Sequence, residues 1–207
     1  MSAEEELSER RREARRALED APDGRLPLPY RRRIRAVFGP CEGPLPDVPL
    51  GRRRRVALAR LSAERVLPVW EAERPQDRRP QRMIELAEAL LEGREDPVVA
   101  DRELGDFMVE VGTLGSGSSP AISARADSSG MAALSVVSTA VTGDYGDLPE
   151  ELDDDDLDPD SWETEYYASL AAGSYPGAPD EDVEARRAFW RFYLDEAVPA
   201  AYRSLGG

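Results

Sequence analysis

Histidine, lysine and asparagine are all missing from this chain of 207 residues, so its 27 basic residues are all arginine. Without histidine the usual general base is gone, and with it the Ser-His-Asp arrangement and nearly all zinc sites. Without lysine there is no amine nucleophile and no Walker-type phosphate loop. Catalysis would have to rest on carboxylates, Tyr, Ser or the single cysteine, Cys41. That thiol sits in a Pro/Gly stretch with no neighbouring base and reads as incidental. One cysteine excludes an intramolecular disulfide framework and fits a reducing compartment. No run of 18 apolar residues exists, so nothing is expected to span a membrane. The opening MSAEEELSERRREARR carries no apolar core of a secretion signal, and a cytoplasmic location is the expectation. These absences favour a binding protein over an enzyme.

What is present is charge, unevenly placed. Residues 1–80 hold 19 Arg against 14 acids; residues 81–207 hold 8 Arg against 28 acids, giving the net charge of −15. Phosphate neutralisation dominates nucleic-acid affinity, so a chain this acidic is a poor nucleic-acid binder. It suits a basic protein partner, approached with electrostatic steering.

The periodicity is helical throughout. Ser2 can cap a helix over 3–19 with Glu4, Glu5 and Glu6 in its first turn. A short helix around 30–38 and a Pro/Gly-rich connector, GPCEGPLPDVPLG, follow. Residues 1–50 therefore read as a basic helical arm with a linker, separable from an all-α domain over 51–207. In that domain Val56, Ala59, Ala63, Val66 and Trp70 form one buried stripe. Met83, Leu86, Ala87 and Leu90 form the next, and Leu104, Phe107, Met108 and Val111 a third. LGSGSSP breaks the chain at 114–120. GMAALSVVSTAVTG suits either a strand or a helix; with no partner strand elsewhere, helix is the reading. Asp158–Pro159 and Ala178–Pro179–Asp180 read as starts of the last two helices. The fold class is an all-α bundle of six to eight helices, two of them kinked, at Pro68 and Pro199.

The acidic run at 150–160 places Asp154, Asp156, Asp158, Asp160 and Glu165 at offsets 1, 3, 5, 7 and 12 of a calcium loop. Offset 6 is Pro159, where such a loop needs glycine for its sharp turn, so neither metal nor cofactor is expected. Four consecutive aspartates repel one another, and an Arg- or Lys-rich partner would relieve that repulsion. The candidate partner-binding residues are Asp153, Asp154, Asp155, Asp156 and Asp160, with Tyr167 as an outward aromatic anchor. A plain solvated loop is the simpler alternative. Trp162, Trp70 and Trp190 are expected in the core. The arginines Arg52–Arg55, Arg186 and Arg187 are expected to pair with carboxylates of the acidic half.

Three segments occur in a distinctive order: RRRRVALARLSAERVLPVWEAE at 52–73, DDDDLDPDSWETEYYASLAAG at 153–173, and EARRAFWRFYLDEAVPAAYRS at 184–204. From about residue 52 to residue 203 the chain resembles the fifth family of immunity proteins of bacterial polymorphic toxin systems. The Ser/Gly-rich approach to the middle helix and the basic N-terminal arm depart from that pattern. The resemblance implies an all-α protein that neutralises a cognate toxin, and the reading of these residues is binding without catalysis, by occlusion or clamping. The alternatives are a carboxylate-based metal enzyme using Asp154–Asp160 and Glu165, or a helical scaffolding protein unconnected with toxins.

Overall fold

In the computed structural model, which describes residues 1–113, 123–143 and 152–204, every regular element is helical and no strand occurs among those residues. Helix α1 (Ala3–Asp20) starts at a capping box in which Ser2 accepts from the Glu5 amide and Glu5 accepts from the Ser2 amide. Helix α2 (Leu28–Ala36) follows, and a connector leads to the long α3 (Leu50–Glu73). Then come α4 (Arg79–Leu91), α5 (Pro97–Thr113), α6 (Ala124–Thr142) and α7 (Thr164–Gly173). Helix α8 (Val183–Phe192) runs through a π-helical turn (Tyr193–Ala197) into α9 (Val198–Arg203).

Helix α6 is the axis of the bundle, packed by α3, α4, α5 and α7. Its small residues make this possible. A Cβ on Gly130 would lie 2.9 Å from the Trp70 ring, so this glycine is what lets α3 and α6 approach. The segment that suited both strand and helix is helical because it is buried on nearly every side among other helices.

Helix α3 lies antiparallel to α8 and α9. The Arg54 guanidinium stands 4.0 Å over the Tyr202 ring, and eleven residues on, Arg65 stands 5.0 Å over Phe192. The two prolines sit on this pair: Pro68 lies inside α3, and Pro199 opens α9 directly after the π-turn. A proline ring meets the carbonyl four residues back in an unbroken α-helix, and the wider turn before Pro199 accommodates it. Trp70 and Trp190 are fully buried, as expected, each contributing about 1.5–3 kcal/mol through burial.

The apolar stripes of α3 and α4 lie inward as read from the sequence. In the stripe of α5, Phe107 and Val111 are buried, Leu104 is half-buried, and Met108 faces outward at 43% exposed. The last long helix starts at Val183, with Asp182 as its cap, because the Asp180 carboxylate is taken by the Ser174 hydroxyl. The LGSGSSP break lies outside the described residues. Residues 1–50 are packed more closely than their sparse apolar pattern suggested. Leu18, Leu26, Ile34 and Phe38 belong to the same core as Trp70 and Trp190.

Candidate functional site

The acidic segment is the feature on which the sequence places most of the function, and α2 organises it. Pro27 precedes α2 and offers no side-chain cap. The Asp153 carboxylate fills that role from across the chain, accepting from the Leu28 amide at 3.1 Å, where the helix dipole favours an anion. The same carboxylate accepts from the Asp154 amide, while Asp156 accepts from the Asp153 amide, closing a 3-10 turn at Asp154–Asp156.

Asp154 points inward, 2% exposed, onto Arg31. Arg31 donates from Nη1 and Nη2 to its two carboxylate oxygens at 3.0 and 2.5 Å, a bidentate pair. Its Nε donates to Glu163 at 3.0 Å and its Nη1 also to the Leu26 carbonyl at 2.7 Å. The flat guanidinium is held between the rings of Tyr166 and Trp190, at 5.6 and 5.1 Å. One helical turn later, Arg35 donates to Glu163 at 2.5 Å and to Glu165. Two cations thus face three carboxylates in the interior.

Burial and these neighbouring charges shift the carboxyls in different directions. Burial pushes the Glu165 carboxyl up and Glu163 adds to this, with Arg35 opposing. One Glu165 oxygen is buried with no hydrogen-bond partner among the described residues. For Glu163 burial also pushes upward, but Arg35 and Arg31 on either side outweigh it and hold its carboxyl below the usual range. Burial, reinforced by Glu165, keeps the nearby Tyr193 phenol neutral. Glu163 is thus biased toward its charged form and Glu165 toward its protonated form, while burial also pushes the Asp154 carboxyl up against the opposing Arg31.

Aromatic side chains clasp the loop from the other side. Trp162 donates from Nε1 to the Asp154 carbonyl at 2.9 Å, and the Tyr167 hydroxyl donates to the Pro159 carbonyl at 2.8 Å. Tyr167, expected to reach outward, is buried, since its hydroxyl is needed to anchor the loop. Of the candidate contact residues, Asp154 is internal and Asp153 is bound to α2. Asp155 and Asp156 remain at the surface. Asp155 is 68% exposed and bridges to Arg25 at 2.8 Å. The Asp160 side chain lies outside what the structure describes. The repulsion among the aspartates is therefore relieved within the chain, by Arg31, Arg25 and the end of α2.

Of the arginines expected to pair with the acidic half, Arg186 pairs with Glu181 at 3.0 Å and Arg187 with Glu184, and these and others also serve backbone carbonyls. Arg52 donates to the Cys41 carbonyl at 2.6 Å and Arg55 to the Gly39 carbonyl at 2.8 Å, fixing the connector. Arg186 donates to the Gly173 and Ser174 carbonyls, closing the end of α7, and to the Asp23 carbonyl. Arg187 reaches the Ala21 carbonyl and Glu184. Sequence reasoning missed Arg35 and Glu163, and it read Glu165 only as the last offset of a calcium loop. Their signal was present: Arg31 and Arg35 are one turn apart on the same face of α2 as Leu28 and Ile34, where a solvated arginine does not belong.

Among the described residues no group of three or more His, Cys, Asp or Glu side chains could hold a metal ion, and no helix is long and apolar enough to cross a membrane. The described residues form an all-helical bundle with its charged cluster locked inside it. The chain matches the sequence model of Immunity protein Imm5 over residues 12–200 and belongs to that family. The match takes in the second half of α1 and all of α2, so the family pattern begins well upstream of residue 52. Comparison with curated proteins gave no match.

Proposed function

We propose that this protein neutralises a cognate bacterial toxin domain of a polymorphic toxin system by binding over it, with no chemical step, in the cytoplasm of the producing cell. The family match across residues 12–200 carries the reading. Charge supports a basic toxin surface as the partner, since residues 81–207 bear 28 acids against 8 arginines. The exposed acids Asp155 and Asp156 contribute to the attraction, whereas Asp153, Asp154 and Tyr167 hold the fold. Occlusion needs no titrating group at the surface, which agrees with a chain that has no histidine.

The test is co-expression with the toxin domain encoded by the neighbouring gene. Growth should be rescued, and a stable complex should survive gel filtration in excess chelator. A toxin that still kills and never co-elutes would remove the immunity reading. Rescue that chelator abolishes would favour a metal-dependent activity instead.

A further inference from the structure

One helix keeps an apolar face that nothing described in the chain covers. On α5 the inner stripe is Ala100, Leu104, Phe107 and Val111, packed toward Trp70 and α6; Phe107 meets the Trp70 ring edge-on at 5.8 Å. The opposite stripe runs Val98, Arg102, Gly105, Val109. Val98 and Val109 are each 69% exposed, and Val99 and Met108 flank them in the open. Over eleven residues these valines stand about 16 Å apart, three turns of one face.

Gly105 at the centre of this face has no explanation among the described residues. The other glycines whose surroundings are described either have a positive φ or would drive a Cβ to within 3 Å of a neighbouring atom. Gly105 does neither: its φ is ordinary, and no described atom lies within 4 Å of where its Cβ would be. A glycine inside an exposed helix costs about 1 kcal/mol relative to alanine. That cost is offset where another backbone must come close. Two apolar shoulders with a low saddle between them make a seat for a partner's helix or strand.

We propose that this face of α5 is where the toxin docks, a step that rests on the immunity reading above. Charge selects the occupant. Helix α5 presents Asp101 and Asp106 beside Arg102, while its Glu103 is paired with Arg82, on a chain of net charge −15. Asp101 and Asp106 stand exposed beside the apolar stripe. A second copy of this chain would set acid against acid. A toxin surface with an apolar ridge bordered by Arg or Lys fits both features, and the central arginine suits an interface core.

The experiment measures binding of the neighbouring-gene toxin domain to the full-length chain and to two variants, V98S/V109S and G105A, with thermal unfolding alongside. The double variant should fold normally and raise the dissociation constant about tenfold or more, chiefly through faster dissociation. G105A should raise the thermal midpoint by about 2–4 °C while weakening the complex. Opposite signs in stability and affinity are what a docking saddle requires. Wild-type binding with both variants at wild-type affinity would overturn the docking face and leave the immunity reading intact. A wild-type chain that neither binds nor protects would overturn both. A dimer of the free chain abolished by V98S/V109S would assign the face to a second copy and overturn the toxin assignment.

Discussion

Arg31 and Asp154, 123 residues apart in sequence, meet in the interior through a two-pronged hydrogen bond. Neither side chain is more than 2% exposed. Such a pair is weak evidence for added stability in itself, because both charges have left water, but breaking it from one side leaves the other charge stranded.

Arg31→Met should therefore destabilise the protein by about 3–5 kcal/mol, read as a lower midpoint in urea. Asp154→Leu alone should be similarly costly. The double variant should recover a good part of the loss, since no charge of that pair remains unmatched, although Glu163 keeps only Arg35. Additive losses in the double variant would mean the two side chains do not act as a pair.

Glu163 and Glu165 should respond oppositely to pH. A depressed carboxyl such as Glu163 contributes stability above the ordinary glutamate range that is lost as pH falls through its folded value. A raised carboxyl such as Glu165 favours the folded state while protonated, and that advantage disappears as pH rises through its folded value. Glu163→Gln should lower stability at neutral pH and flatten the acid limb of the profile. Glu165→Gln should be mild and remove the decline toward higher pH. Urea midpoints of the three proteins from pH 4 to 8 decide it; identical profiles would place both carboxylates outside the titration.

A chain beginning at Gly51 should fail to fold to a cooperative unit. It lacks Leu18, Leu26, Ile34 and Phe38 from the core and leaves Asp154, Glu163 and Glu165 without Arg31 and Arg35. A sharp thermal transition and native-like helicity in the truncated chain would restore residues 1–50 to the status of an arm.

Asp155→Ser combined with Asp156→Ser should leave the Arg31 pair in place and lower toxin association several-fold at low salt. The effect should fade as ionic strength shortens the screening length toward about 8 Å. Replacing Asp153 and Asp154 as well should instead unfold part of the molecule. Unchanged association kinetics at low salt in the milder variant would take the loop out of the encounter.

Helical periodicity made most of the bundle legible in advance. Val56 to Trp70 and Met83 to Leu90 are inward because a 3.6-residue repeat has one way to bury such a stripe. Two kinds of information were not local. The acidic run reads as repulsive only while its partners are unknown, and those partners lie more than a hundred residues upstream on α2. Tyr167 reads as an interface aromatic until its hydroxyl is seen to hold the Pro159 carbonyl. Arginines were also assigned to carboxylates by charge alone, whereas Arg52 and Arg55 serve carbonyls of the connector, and Arg186 adds the carbonyls at the end of α7 to its pair with Glu181.

The arginine cluster also sets an order on the birth of the protein. Arg31 and Arg35 leave the ribosome well before the carboxylates that complete them, and Glu163 and Glu165 emerge more than 120 residues later. Until then Arg31 has the Leu26 carbonyl but neither Asp154 nor Glu163, and helix α1 packs on a surface not yet closed. Folding is thus postponed to the last fifth of synthesis, as expected for contacts of long sequence separation. A truncated or stalled chain keeps the helices that pack on α6 yet leaves the arginine cluster open, so the fold should close only when translation is nearly finished.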